Sequence, residues 1–439
     1  MTDIMTIHEP RGWVLYRLGQ LFEERKEKVS DKDYPPLSVT MNGIVPQLET
    51  AAKSDDSDNR KLVKKGDYVI NSRSDRKGSG GISPHDGSVS LISIVLRPKG
   101  VHPRFAHHLL RSRAFQEEFY RWGHGIVADL WTTRYADMKN IRLFLPDLET
   151  QKAIADFLDR ETTRIDQLIE KKQRLVEVQR FRLQSKLKEL VLGGASVQRG
   201  LGGDWLQDLP NGWRLIPLKH LVFVKGGATP SKEREDFWVG DIPWVSPKDM
   251  KLDVIHDATD HVSEAAVANS AIQVIPEQAV LIVVRGMILA RIVPVCRLGV
   301  PATINQDMKA LLPREKAIRG DYLQRMLQGF GDILMSFIEE AAHGTKKLRS
   351  DALFGLKFPV PPMEVQEQTV GEYERSRVWT DSVSDLTLSS IESLRELRSA
   401  LITAAVTGQI DVATWGKQGK TDRRLDQIEE EMSAEEALA

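Results

Sequence analysis

Two long stretches of this chain carry apolar residues at helical spacing. Between Thr150 and Leu192, Ile154, Leu158, Ile165, Leu168 and Leu175 trace a heptad seam that Glu161 and Lys172 interrupt. Between Glu364 and Thr407 the later part repeats the stripe with Ile391, Leu394, Leu397 and Leu401. Gly193-Gly194 and Gly408 stand where helices stop. Roughly 40 residues at about 1.5 Å each make a rod of about 60 Å. Ordinary globular helices average about 11–12 residues, so the pattern favours a paired-helix rod over two ordinary core helices. Ahead of each helix the pattern is mixed. Tyr68–Asn71, Val89–Leu96 and Ile141–Leu145 read as strands and Pro103–Trp122 as a helix. The second front reads as strands at Ala279–Val284, Ile288–Val295, Lys309–Leu312 and Leu356–Val360, with a helix at Gly320–Ala342.

The chain is written twice. Gly12-Trp13 and Leu18 recur as Gly212-Trp213 and Leu218, an offset of 200. Val69–Arg73 resembles Val280–Arg285, and Leu96-Arg97-Pro98 resembles Leu311-Leu312-Pro313. Leu145-Pro146 with Gln151 matches Val360-Pro361 with Gln366, and Val191-Leu192-Gly193 matches Val406-Thr407-Gly408, both at 215. The fronts therefore differ by insertions while the backs stay in register. The expected partition is a first front over residues 1–148, a first helix over 149–193 and a Gly-rich linker over 194–211. A second front over 212–363, a second helix over 364–410 and an acidic tail over 411–439 complete it.

Charge and composition narrow the function. The 439 residues carry 61 Lys and Arg against 62 Asp and Glu, which excludes a uniformly basic nucleic-acid binder but leaves room for local patches. One Cys, Cys296, excludes a disulfide framework and a Cys-built zinc site. Its apolar neighbours predict a buried, inert thiol. Met1–Arg17 is polar and broken by Pro10 and Gly12, unlike a signal peptide. The longest apolar run, Ala279–Val284, is too short for a bilayer span. A cytoplasmic setting is expected. Catalytic motifs are missing. Gly78–Gly81 lacks the Lys and Ser/Thr of a phosphate loop, and neither a dinucleotide turn nor a Gly-x-Ser-x-Gly elbow occurs. His107-His108 point about 100° apart on a helix and cannot share a metal. Pro361-Pro362-Met363 lacks the Asn and the aromatic of an amino-methyltransferase loop.

What remains is binding chemistry. Arg60, Lys61, Lys64, Lys65, Arg73, Arg76 and Lys77 form one basic run, and Arg97, Lys99, Arg104, Arg111 and Arg113 another. Such runs can neutralise phosphates or form a solvated charged face. Arg73-Ser74-Asp75-Arg76-Lys77 is more specific: it leaves a strand, is rich in donors, and precedes glycines that permit close backbone approach. In the second front Lys225, Thr229 and Ser231 belong to a loop of small residues, and Lys248 follows Trp244. Phe237, Trp238 and Trp244 suit a core role better than base stacking. Arg285-Gly286 at a strand exit parallels Arg73. His343-Gly344 followed by Thr345, Lys346 and Lys347 parallels His124-Gly125 and offers a phosphate clamp. On these residues alone, a single-chain nuclease with an unrecognised site and a coiled-coil adaptor without DNA reading stay open.

The sequence resembles the specificity subunit of type I restriction–modification systems. The resemblance is carried by GGATPSKEREDFWVGDIPWVSPKDM at Gly226–Met250, TINQDMKALLP at Thr303–Pro313 and FPVPPMEVQ at Phe358–Gln366. The helix signatures FLDRETTRIDQLIEKKQRLVE at Phe157–Glu177 and LRSALITAAVTGQID at Leu397–Asp411 add to it. The first front lacks the Thr-Pro-Ser loop and the Trp pair, so roles do not transfer there residue by residue. The resemblance implies an α+β / α/β fold with two globular target recognition domains separated by two long antiparallel helices, a pseudo-twofold internal repeat. It implies a non-catalytic chain that reads a bipartite site in double-stranded DNA. Two modification (methyltransferase) subunits and two restriction (motor and nuclease) subunits would be its partners. S-adenosylmethionine, ATP and magnesium would belong to those partners and no cofactor to this chain. Val176, Val178 and Leu183 on the first helix are candidates to dock partner helices.

Overall fold

The computed structural model describes residues 9–47, 58–125, 131–197, 206–340 and 344–415. Most of the acidic tail, His343 and residues 198–205 of the Gly-rich linker lie outside the described residues. The chain divides into two compact units. One takes the residues up to Arg174 together with those from Thr387, the other Leu175–Leu386. Each unit holds one mixed α/β lobe and part of both long helices, which run Leu148–Leu192 and Met363–Val406.

In the first unit a four-stranded antiparallel sheet has the order Phe22–Glu24, Ser93–Pro98, Tyr68–Asn71, Gly80–Ile82. A ribbon pairs Val14–Arg17 with Arg142–Leu145 at the foot of the first long helix. The seam residues Ile154, Leu158, Ile165 and Leu168 are buried in the lobe's own core, beside Leu394 and Leu401 of the second long helix and Phe105, Leu109 and Phe119 of the lobe. An Arg398–Asp166 pair, bonded at 2.8 and 3.1 Å, closes the exposed side of the seam. The helix expected at Pro103–Trp122 is two helices, Pro103–Arg111 and Arg113–Arg121. Ser112 breaks it by turning extended and capping the Phe115 N–H at 3.3 Å. The strand expected at Val89–Leu96 is a turn flanked by Gly87–Val89 and Ser93–Pro98.

The second unit repeats this plan. Its main sheet has the order Val222–Gly226, Met308–Pro313, Val280–Val283, Val295–Leu298, Val254–Ile255. The ribbon is Arg214–Pro217 against Lys357–Val360. The repeat holds at the level of register: Leu96 faces Glu24 as Leu311 faces Val224, and Val14 faces Leu145 as Arg214 faces Val360. Two sequence readings fail here. Ile288–Val295 is not a strand; Gly286 at φ 134° turns the chain into a single 3-10 turn at Met287–Ala290, and the next strand starts at Val295. Met287, Ile288 and Ile292 are exposed, so their apolar run misled. The helix at Gly320–Ala342 ends at Gly329, resumes at Gly331–Met335, and gives way to a strand at Ile338–Glu340. Of the stripe on the first long helix, Val176 is buried, Leu183 packs on the lobe's core and Val178 alone is exposed.

A buried glutamine fastens each lobe to its long helix. Gln151 donates to Pro146 O at 2.8 Å and accepts the His102 N–H at 2.9 Å. Gln366 donates to Pro361 O at 3.0 Å and accepts the Arg319 N–H at 2.9 Å. Replacing either by Ala strands a buried N–H and a carbonyl, so each variant is expected to lose about 1–3 kcal/mol. The denaturant midpoint checks this, and unchanged midpoints would show that water replaces the amide.

Candidate nucleic-acid interface

The two arginines that leave central strands occupy the same place in their lobes. Asn71 pairs with Ser93 and Val283 with Met308, so Arg73 and Arg285 both sit two residues past the end of the same strand. Each forms an isolated antiparallel bridge to an incoming segment, Arg73 with Thr132 and Arg285 with Lys347. The flanking bonds match as well. Ser74 N–H donates to Trp131 O at 2.9 Å and Thr133 N–H to Ser72 O at 3.0 Å. Gly286 N–H donates to Lys346 O and Leu348 N–H to Val284 O, both at 2.9 Å. Extended backbone on two sides thus fixes each arginine's Cα while its side chain stands exposed.

In the first lobe Ser74–Arg76 forms a 3-10 turn, with Arg76 and Lys77 exposed beside Arg73 and Ser74 partly covered. Lys77 lies 5.9 Å above the ring of Tyr120, whose hydroxyl burial pushes up to about 12. In the second lobe the segment 303–307 gathers the loops. Ala228 N–H bonds Ile304 O at 3.0 Å, Asn305 N–H bonds Val245 O at 2.9 Å, and Arg285 N–H bonds Asp307 O at 3.2 Å. The Thr229 hydroxyl meets the Gln306 carboxamide. Gly227 is required by close packing, because a Cβ there would lie 1.9 Å from Asn305 O. Thr229, Arg285, Lys346 and Lys347 therefore share one end of the sheet, with Thr345 just ahead of the strand Lys346–Leu348 and Ser231 exposed on the adjoining loop. Lys225 is half-buried in its strand, one residue short of that end.

A family model described as the type I restriction modification DNA specificity domain matches residues 10–179 and 210–371. The chain belongs to this family. Among named relatives, it is 36% identical over 161 residues to the Escherichia coli EcoR124I/EcoR124II type I restriction enzyme specificity subunit, 36% of this chain and 40% of that one. It is 24% identical over 197 residues to the Methanocaldococcus jannaschii MjaIX specificity subunit, 43% of this chain and 40% of that one. These matches thus span well under half the length of either relative. By fold, a chain from a type I R-M system studied for complex assembly and conformational transition aligns with TM-score 0.69 at 18% identity, covering 91% of this chain and 99% of its own. The HsdS subunit from Thermoanaerobacter tengcongensis aligns with TM-score 0.53 at 19% identity, covering 91% and 98%.

Within this specificity-domain fold, most of the two basic runs is spent internally. Arg60 is buried on Ser88, Lys61 bonds Ser93 O at 2.7 Å, and Lys64 pairs with Asp86 at 3.1 Å. Arg97 and Lys99 share Glu23, whose carboxyl they pull down to about 2. Arg104 grips Asp156 and Asp159, and Arg113 holds Glu117. Much of the runs' charge is therefore offset within the lobe; Lys65, Arg73, Arg76 and Lys77 stay exposed without such a carboxylate grip, apart from a loose Arg76–Asp75 pair at 3.7 Å, and the last three cluster at the strand exit. Lys248 pairs with Asp260 and Lys346 with Glu340, at 2.8 and 2.7 Å, so both carry offset charge.

The tryptophans build the loop. Trp238 and Trp244 meet edge to face at 5.1 Å, and their indole N–H groups bond Ser231 O and Ala228 O, each at 3.0 Å. Cys296 is buried, which pushes its thiol up to about 12. His107 and His108 lie edge-on with centroids 5.5 Å apart. The sequence match of His124 with His343 does not survive: His124 bridges Thr132 as Glu339 pairs with Lys347. Sequence reasoning also missed Trp131, Thr132, Gln306 and Asp307. The offset of 215, carried forward from Gln151 and Gln366, would have found the pair Thr132 and Lys347.

Proposed function

We propose that this chain is the DNA sequence-recognition subunit of a type I restriction–modification complex. Each lobe reads one half of an asymmetric, split target in double-stranded DNA, and the two long helices set the gap. The observation that carries this reading is the arginine-bearing strand exit built twice on matching backbone bridges, with different neighbours, in a chain of the specificity-domain family. Two copies of one device suit two half-sites, and unlike neighbours suit unlike words. We place the recognition domains at 1–148 and 212–363, the helices at 149–193 and 364–410, with a linker over 194–211 between them.

The DNA-binding set comprises Arg73, Ser74, Arg76 and Lys77 in the first lobe. In the second it comprises Lys225, Thr229, Ser231, Lys248, Arg285, Thr345, Lys346 and Lys347. The chain itself is non-catalytic. Two methyltransferase subunits bring S-adenosylmethionine and two restriction subunits bring ATP and magnesium. A helix face supports partner docking. Phe181 is 74% and Trp379 58% exposed on the long helices of the second unit, and the Lys186–Glu372 pair at 2.8 Å sets a register that brings Phe181 level with Arg377, next to the exposed Val378. Large exposed apolar residues on a helix pair mark a surface meant to be covered. Among the described residues no helix is long and apolar enough to cross a membrane, and a cytoplasmic setting fits this role.

A map of methylated adenines in cells with and without the gene tests the reading. Loss of one split motif with two unlike halves and a constant gap is expected. Loss of no motif would overturn the function, and a motif with a variable gap would remove the helices as its ruler.

A further inference from the structure

The two strand exits match in backbone, yet three matched positions around them differ in chemistry. Ser93 N–H donates to Ser90 O at 2.9 Å, and Met308 N–H donates to Asn305 O at 3.2 Å. With Ser93 on Asn71 and Met308 on Val283, Leu91 and Ile92 correspond to Gln306 and Asp307. Trp131 corresponds to Lys346, since their carbonyls accept from the residue after each arginine. Arg73 is thus accompanied by Leu91, Ile92 and Trp131, which are 41%, 38% and 38% exposed. At the same three positions Arg285 is accompanied by a carboxamide, a carboxylate and an ammonium, with the exposed Met287 and Ile288 following Gly286.

The apolar trio has no part in the lobe's hydrophobic clusters. Leaving three large apolar side chains wet around one cation forgoes burial that a folded chain ordinarily takes. A partner that covers them must offer both a hydrogen-bond acceptor to the guanidinium and an apolar surface beside it. The major groove of DNA does so at thymine, whose 5-methyl group projects among the acceptor atoms of the base edges.

We propose that the first lobe reads thymine 5-methyl groups in its half of the target through Leu91, Ile92 and Trp131 around Arg73, at three positions where the second lobe presents polar side chains. This rests on the DNA-recognition role proposed above. It adds which chemical feature of DNA the first lobe senses.

The test uses the full chain assembled with its methyltransferase partner and duplexes carrying the mapped target. Thymines are replaced by deoxyuridine in one half at a time, which removes the methyl and keeps every hydrogen-bonding edge. The half belonging to the first lobe is the one relaxed by Arg73→Ala. Each contacted methyl lost from that half should weaken binding about fourfold. Trp131→Ala should bind thymine and uracil duplexes more nearly alike, and Trp131→Phe should keep the difference. If Trp131→Ala does not fold, Leu91→Ala in the exposed turn serves the same purpose, and the wild-type comparison needs no variant. A first half without thymine, uracil that is neutral there, or an unchanged thymine preference in Trp131→Ala would overturn the proposal. Failure of the recognition role itself looks different: the complex would prefer no split sequence, with thymine or with uracil.

Discussion

Arg73→Ala is expected to relax the methylated motif in one half only, and Arg285→Ala in the other, each weakening specific binding by about 1–3 kcal/mol. The reason is geometric. Both Cα atoms are fixed by backbone bridges to Thr132 and Lys347, and Arg73 N–H is further tied to Asn71 Oδ1 at 3.0 Å. Removing the exposed side chain therefore leaves the loop in place and takes away only what it would touch. Folding stability should stay within about 0.5 kcal/mol of wild type, as for surface changes generally. Lys64→Ala makes the control. It removes the same charge from the same basic run, but Lys64 is engaged with Asp86, so the motif should not change. Sequencing of methylated adenines alongside binding titrations reads all three. A uniform loss of affinity across sequences would recast both arginines as phosphate contacts. An unchanged motif would remove the strand exits from the interface.

The largest stability loss is expected at Arg325. Its side chain is buried, bonded to Asp253 at 2.9 Å, paired with Glu374 on the second long helix and stacked 4.6 Å over the ring of Tyr373. Arg325→Ala takes the cation from Asp253 and leaves Glu374 with Arg377 alone. Breaking a buried pair from one side costs about 3–5 kcal/mol, and the partly exposed carboxylates put this case near the lower bound. The first lobe holds the equivalent place with His108, six residues after the backbone N–H that meets its glutamine, on Asp159 at 2.7 Å. An imidazole with one partner makes a weaker tie, so His108→Ala should cost about 1 kcal/mol. Chemical denaturation of the two variants side by side measures the difference. Equal losses would mean that the lobes are fastened by packing and not by these pairs.

Several features were legible because their physics is local. The seam Ile154, Leu158, Ile165, Leu168, Leu175 is buried as its spacing required, and Gly193 and Gly408 take φ 58° and 70° at the helix ends. The middle of the second helix was not legible. Thr380, Ser384 and Thr387 continue the buried face toward Ile391, but polar side chains at heptad positions give no apolar signal. The basic runs misled for a related reason. Charge density is visible along the chain, whereas the carboxylates that absorb it, Glu23, Asp86, Asp156 and Asp159, approach only through folding. Ile288–Val295 misled because an apolar run carries no sign of whether it faces a core or water.

By itself, the sequence determined the doubled plan, the two long helices and the pairing of Arg73 with Arg285, since each is written in spacing and repetition. Tertiary structure alone decided which cations stay exposed, that Trp238 and Trp244 brace a loop, and that Trp131 stands beside Arg73 where Lys346 stands beside Arg285. Those outcomes depend on hydrogen bonds between segments tens of residues apart, and such bonds leave no periodic trace along a chain.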